Sequence, residues 1–142
     1  SVKLVSLHRM EFNIRKLNSS DYDDVLVGWW KDWGWTPPAK DFLPENGEGG
    51  FIVLDKDTPV CAGFLYITNS SVAWVEWIIS NKNYKKSRAE ALDLLLDRLI
   101  LTTDKLKMKY VFATNDNKSL INKFINKGFK KGSNTTELIK VL

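Results

Sequence analysis

The chain has 142 residues, 44% of them hydrophobic, with 21 Lys and Arg against 17 Asp and Glu for a net charge of +4, and it holds one Cys and one His. That length supports a single domain, 1–142, able to bury roughly 70% of the surface of the unfolded chain, while no apolar run approaches the roughly 20 residues that span a bilayer. One Cys61 excludes an internal disulfide, Cys61 with His8 excludes a zinc site of several Cys and His ligands (the expected metal set is none), and a nucleophile paired with His would have to use His8, close to the start of the chain.

Residues 1–9 precede an internal Met10 and read as a leader or an expression remnant; with no signal-peptide pattern, the chain reads as cytoplasmic. Phe12 to Leu17 alternate as a strand. Ser19 and Ser20 offer an N-cap, and Tyr22, Val25, Leu26, Trp29, Trp30 and Trp33 fall on one face of a helix that Gly34 ends. Pro37, Pro38 and the Pro44–Gly50 stretch predict a mobile loop. A meander follows: Phe51 to Leu54, a turn at Asp55 to Thr58, Val60 to Thr68, a turn at Asn69 to Ser71, and Val72 to Ile79. Leu92, Leu95, Leu96, Leu99 and Ile100 then give a helix over 87–102. Tyr110 to Ala113 reads as a short buried strand, and Leu120, Ile121, Phe124 and Ile125 as a helix closed by Gly128. Phe129 to Lys131 and Thr135 to Leu142 read as two last strands. The predicted order is β-α-β-β-β-α-β-α-β-β, an α/β (α+β) domain with a mixed sheet of about seven strands and helices on both faces. The strands at 72–79 and 110–113, joined by a helix, should run parallel.

Several stretches resemble the GNAT superfamily of N-acetyltransferases. The run Val75-Glu76-Trp77-Ile78-Ile79, then Tyr84, then Lys85-Lys86-Ser87-Arg88-Ala89-Glu90-Ala91 and the Leu-rich helix is similar to the family's Glu-bearing fourth strand, phosphate loop and following helix. Asn117, Leu120, Phe124, Gly128 and Phe129 are similar to its N-x-x-A-x-x-x-Y-x-x-x-G-F pattern. The chain departs from the family by lacking loop glycines, and by Phe124 where the family has a Tyr that protonates the leaving thiolate.

The resemblance implies an N-acetyltransferase that moves an acetyl group from acetyl-CoA to a primary amine, on a small molecule, a peptide N-terminus or a lysine, by direct attack on the thioester. It assigns Glu76 as general base, backbone amides of Ile78, Ile79 and Ser80 to pantetheine and the thioester carbonyl, Lys85, Lys86, Ser87, Arg88 and Ala89 to the pyrophosphate, and Asn117 to pantetheine.

The residues also read without a ligand. Ser87 to Glu90 form a capping box, Asn117 an N-cap, and Glu76 the partner of a cross-strand Lys or Arg. Against the capping box stands the crowding of Lys85, Lys86 and Arg88 at the positive end of a helix dipole. Alternation along the fourth strand predicts Trp74, Glu76 and Ile78 on one face and Ala73, Val75, Trp77 and Ile79 on the other.

Trp29, Trp30 and Trp33 read as core, Cys61 as a packing residue, and Trp35, near Asp32, Asp41, Glu45 and Glu48, as the acceptor-site aromatic. Residues 1–71 hold 7 basic and 10 acidic side chains, and residues 72–142 hold 14 and 7. One half therefore suits a cationic amine and the other a polyphosphate. Two alternatives stand beside the enzyme: a GNAT-fold binding or assembly protein without catalysis, and a nucleic-acid-binding module using the basic half with Tyr110 and Phe112 as stacking residues, against which those two also read as core of a strand between helices. No membrane partner is expected, and a homodimer is left open.

Overall fold

The computed structural model describes residues 11–142, so the reading of residues 1–9 as a leader and the isolation of His8 lie outside the described residues. Five strands form one sheet in the order β1-β2-β3-β4-β5: β1 Phe12–Lys16, β2 Gly50–Asp55, β3 Thr58–Ile67, β4 Val72–Ser80 and β5 Tyr110–Ala113. The first four pair antiparallel, and β4 and β5 run parallel, as a connection through a helix requires. A π-helical turn, Tyr22–Leu26, runs into α1 (Val27–Asp32); α2 spans Arg88–Lys105 and α3 Lys118–Asn126.

The two faces of the sheet carry separate apolar clusters. On one, Leu95, Leu96 and Leu99 of α2 and Phe124 of α3 close over Val53, Cys61, Leu65, Ala73 and Val75. On the other, Leu26, Trp29 and Trp30 close over Ile52, Ala62, Phe64 and Ile79. The helical periodicities read from the sequence therefore mark the packed faces. Cys61 is fully buried in the first cluster, where burial pushes its thiol pKa up.

Glycines set both strand crossings and helix ends. A Cβ on Gly50 would fall 2.0 Å from the Gly63 carbonyl oxygen, and one on Gly63 would fall 2.5 Å from Ile78. At the end of α3, Gly128 (φ +98°) donates to Ile125 O, Phe129 donates to Phe124 O, and the Phe124 and Phe129 rings meet edge to face at 5.0 Å. Together these bonds and that contact make a Schellman cap.

Five expectations need correction. The strands at 129–131 and 135–142 do not form; among the described residues the sheet has five strands, and Leu138, Ile139, Val141 and Leu142 are exposed with no strand beside them to pair. Ser19 and Ser20 do not cap the first helix by their side chains: Ser20 bonds Asn18, and the buried Asp21 takes the N-cap position. The 37–50 segment is packed, with Leu43 and Gly47 buried and tethers from the Tyr22 hydroxyl to Pro38 O (2.7 Å), the Tyr66 hydroxyl to Phe42 O (2.9 Å) and the Leu65 amide to Gly49 O (2.9 Å). Tyr110 and Phe112 are 63% and 51% exposed, because helices cover only one face of β5. Their rings are available at the surface, so burial is no argument against a partner there.

The fifth correction concerns β4. Its pairing with β3 steps from Phe64↔Glu76 to Ala62↔Ile79, and Trp77 has φ +57°. This is a β-bulge, and it breaks the two-residue alternation. Ile78 packs with Val75 and Ala73 toward α2, whereas Trp77 and Ile79 pack toward α1.

The Arg15 fork on Asp21 ties β1 to the first helix (2.8 and 2.9 Å), and the Asn18 amide adds 2.8 Å. Burial acts to raise the Asp21 pKa, but the Arg15 and Asn18 hydrogen bonds outweigh it and hold the carboxyl below the usual range. Asp21→Asn should cost about 1–2 kcal/mol at pH 7 in urea unfolding, the partly exposed Arg15 tempering the loss. Because the folded pKa is depressed, this contribution is present above the unfolded value, near pH 4, and disappears as pH falls through the folded one. The gap between wild type and variant should therefore close on acidification, and a constant gap would remove the charge from the account.

Candidate functional site

β4 and β5 part company midway. Their pairing runs from Val72↔Tyr110 to Val75↔Ala113 and stops, while β4 continues through Glu76 to Ser80. Beyond that point the edge of β4 away from β3 has no strand partner among the described residues. The bulge at Trp77 lies in the same stretch. β5 ends at Ala113, so the length of β4 from Glu76 onward has one edge without a strand partner among the described residues.

Glu76 stands at the start of that length. Its Oε1 accepts from the Thr114 amide (2.8 Å) and the Thr114 hydroxyl (2.7 Å), the residue that follows β5. No Lys or Arg pairs with it, so the cross-strand ion pair considered from the sequence is absent among the described residues. Burial raises its pKa, the two Thr114 bonds pull it back, and Glu137 of the C-terminal segment adds a further rise by like charge. The net direction is upward, toward a carboxylate able to hold a proton. Thr114 and Glu137 carry no sequence signal that would have selected them, because both act through proximity across 38 and 61 positions.

The basic turn leads into α2. Asn81 anchors it to β3, its amide donating to Val60 O (2.8 Å) and its side chain to Pro59 O (3.1 Å). The Tyr84 hydroxyl donates to Asp55 of β2 at 2.7 Å; burial and then that carboxylate push its pKa up to about 12, too weak an acid to give a proton to a thiolate near neutrality. Ser87 occupies the N-cap of α2, yet its side chain caps no amide there, so the Ser87 half of the predicted capping box does not form. The first-turn amides at Arg88 and Ala89 consequently have no side-chain cap, at the positive end of an 18-residue helix. Lys85 and Lys86 are exposed beside them and make no ion pair among the described residues, whereas Lys123 and Lys127 are occupied by Asp93 and Asp97.

Ile78, Ile79 and Ser80 lie on the unpaired length of β4. Asn117 caps α3, its Oδ1 accepting from the Leu120 amide at 3.1 Å. Phe124 is buried against Phe129 and offers no hydroxyl. Trp29 and Trp30 are core; Trp33 is half-buried and donates from Nε1 to Ser80 O at 2.8 Å, and Trp35 is stacked on it. Glu76, the β4 backbone and the basic turn thus lie along one strand and its continuation, with Trp33 and Trp35 at the far end. Among the described residues no group of three Asp, Glu, His or Cys could hold a metal, and no helix is long and apolar enough to cross a membrane.

Neither protein-family profiles nor curated protein sequences match this chain. Solved structures do. Similar ones include N-acetylglutamate synthase from Neisseria gonorrhoeae complexed with coenzyme A and L-arginine (TM-score 0.70, 14% identity, 86% of this chain and 28% of that one). An acetyltransferase from Trypanosoma brucei gives TM-score 0.65 at 15% identity over 91% of this chain and 99% of that one. The ribosomal-protein-S18-alanine N-acetyltransferase from Escherichia coli gives 0.65 at 14% over 86% and 79%. The chain spans under a third of the N-acetylglutamate synthase and nearly all of the Trypanosoma protein. It has the GNAT N-acetyltransferase fold.

The Glu76 carboxyl should titrate above the roughly 4.3 of an unperturbed glutamate in carbon-detected NMR. Thr114→Val removes the hydroxyl that favours the ionised form, so it should move the titration further up. Since the folded pKa lies above the unfolded one, ionising Glu76 costs stability, and that cost should grow as pH rises through the window between the two values. A midpoint at or below 4.3 would remove the desolvation argument.

Proposed function

We propose that this GNAT-fold chain is an acetyl-CoA-dependent N-acetyltransferase acting on a primary amine. The observation that carries the reading is the parting of β4 from β5 at Glu76, which sets an unpaired strand edge, a desolvated carboxylate and an uncapped, cation-flanked helix N-terminus in a row. A thioester on a long polar arm with a pyrophosphate fits that row in order. The similar solved structures support the same class of chemistry.

The chain's own groups divide the work as follows. Lys85, Lys86 and Arg88, with the amides at Ser87, Arg88 and Ala89, would hold the pyrophosphate at the α2 N-terminus. No glycine lines this turn, but the amides emerge uncapped, and Ala89 is the smallest residue that still carries a Cβ. Backbone of Ile78 to Ser80 would pair with the amides of the pantetheine arm and polarise the thioester carbonyl. Asn117 retains its amide nitrogen for the same arm while its oxygen caps α3.

Acetyl-CoA supplies an acyl carbon with a thiolate leaving group. The acceptor nitrogen forms a C–N bond to that carbon as the C–S bond breaks, and the nitrogen's proton passes to Glu76, directly or through a water. The thiolate takes its proton from solvent, since Phe124 has none to give and Tyr84 is tied to Asp55. The acceptor is a small-molecule amine, a peptide N-terminus or a lysine, entering beside Trp74 and Phe112, whose rings stack at 4.7 Å just before Glu76 and Thr114. A cytoplasmic location is part of the same proposal.

Thermal unfolding with millimolar coenzyme A tests the donor. Ligand at a hundredfold excess over Kd stabilises by about 2.7 kcal/mol, and no upward shift would sink the enzyme and leave a non-catalytic GNAT-fold binding protein. With a donor shift in hand, amines screened for a gain in acetyl mass would identify the acceptor. Glu76→Gln should then retain the coenzyme A shift and lower kcat by about 10²–10⁴-fold. An unchanged rate would take Glu76 out of the mechanism.

A further inference from the structure

Trp33 and Trp35 are not used by the mechanism, yet both are held by specific contacts. They flank Gly34, whose φ of +80° places the chain in a Schellman cap: the Gly34 amide donates to Lys31 O and the Trp35 amide to Trp30 O, both at 2.9 Å. The two rings stack with centroids 5.9 Å apart and an interplanar angle of 20°. Trp33 is locked from below by its bond to Ser80 O, at the end of the unpaired length of β4. Trp35 is 54% exposed, so an indole surface faces outward on a fixed mount.

Two cations lie over the Trp33 ring. The Lys82 ammonium lies 5.3 Å and the Arg88 guanidinium 5.7 Å from the Trp33 ring centroid, and Lys82 also donates to Asp32 O. Exposed Lys85 and Lys86 belong to the same turn. The aromatic reading of Trp35 from the sequence had assumed nearby carboxylates that would draw a cationic amine. Here a cation would approach against Lys82 and Arg88, whereas a flat neutral ring carrying phosphates gains both the stacking surface and the cations.

We infer that Trp35 is the platform on which the adenine ring of the donor's nucleotide stacks, with Lys82 joining Arg88 in holding the phosphates. This rests on the donor reading above and assigns Trp35 to the nucleotide end of the site. Isothermal titration of wild type, Trp35→Ala and Trp35→Phe with coenzyme A and with adenosine 3′,5′-bisphosphate tests it. Trp35→Ala should weaken both ligands about tenfold, Trp35→Phe should recover most of that loss, and fluorescence quenching by the bisphosphate should fall in Trp35→Ala. Circular dichroism melts of the unliganded variants check that the exposed substitution leaves the fold intact. Wild-type affinity for both ligands in Trp35→Ala would overturn the platform and leave the donor reading standing. No binding of coenzyme A by the wild type would overturn both.

Discussion

The structure depends on the point where two parallel strands stop pairing. β4 is paired with β3 on both sides of the bulge at Trp77 and Ile78, but its pairing with β5 ends at Val75. Beyond Val75 the outer edge of β4 has no strand partner among the described residues, so its backbone groups there are open to water or to a hydrogen-bonding ligand. Everything with chemical potential in this chain is arranged along that edge: Glu76 at its start, Ile78 to Ser80 on it, and the basic turn at its end.

The bulge is made possible by absence of bulk on the neighbouring strands. Gly63 faces it, where a side chain would meet Ile78 and Leu99, and Gly50 passes within contact of the Gly63 carbonyl. The extra residue turns Trp77 toward α1, where its Nε1 donates to the Tyr66 hydroxyl and its ring meets Phe42 edge to face. Tyr66 in turn donates to Phe42 O, so the irregular strand and the packed 37–50 segment hold each other. The bulged stretch of β4 is thus tied to the 37–50 segment.

Electrostatics give the edge a direction. The carboxylate end is desolvated and repelled by Glu137, which lifts the Glu76 pKa, while Lys82 and Arg88 gather over Trp33 near the N-terminus of α2. Several of the basic charges in the second half of the sequence do not contribute, since α3 spends Lys123 and Lys127 on Asp93 and Asp97 of α2. The gradient that matters is therefore local, carried by Lys82, Lys85, Lys86 and Arg88.

Much of the fold is legible in the sequence because it is periodic. The leucines of α2, the tryptophans of α1, the turns of the meander and the caps at Gly34 and Gly128 repeat or punctuate at spacings that backbone geometry dictates, and the parallel β4–β5 pair follows from the helix between them. Glu76 was also visible, as a carboxylate inside an apolar strand. What only the tertiary structure decided are the matters settled by contacts between distant positions. These include the bulge that reverses Ile78 and Trp77, Ser87 leaving the first turn of α2 without a side-chain cap, Thr114 bonded to Glu76, and Lys82 and Arg88 gathered over Trp33. The physical reason is the same in each. Periodicity is a property of neighbours along the chain, whereas register shifts, competing hydrogen-bond partners and local charge are energies between residues that only folding brings within reach.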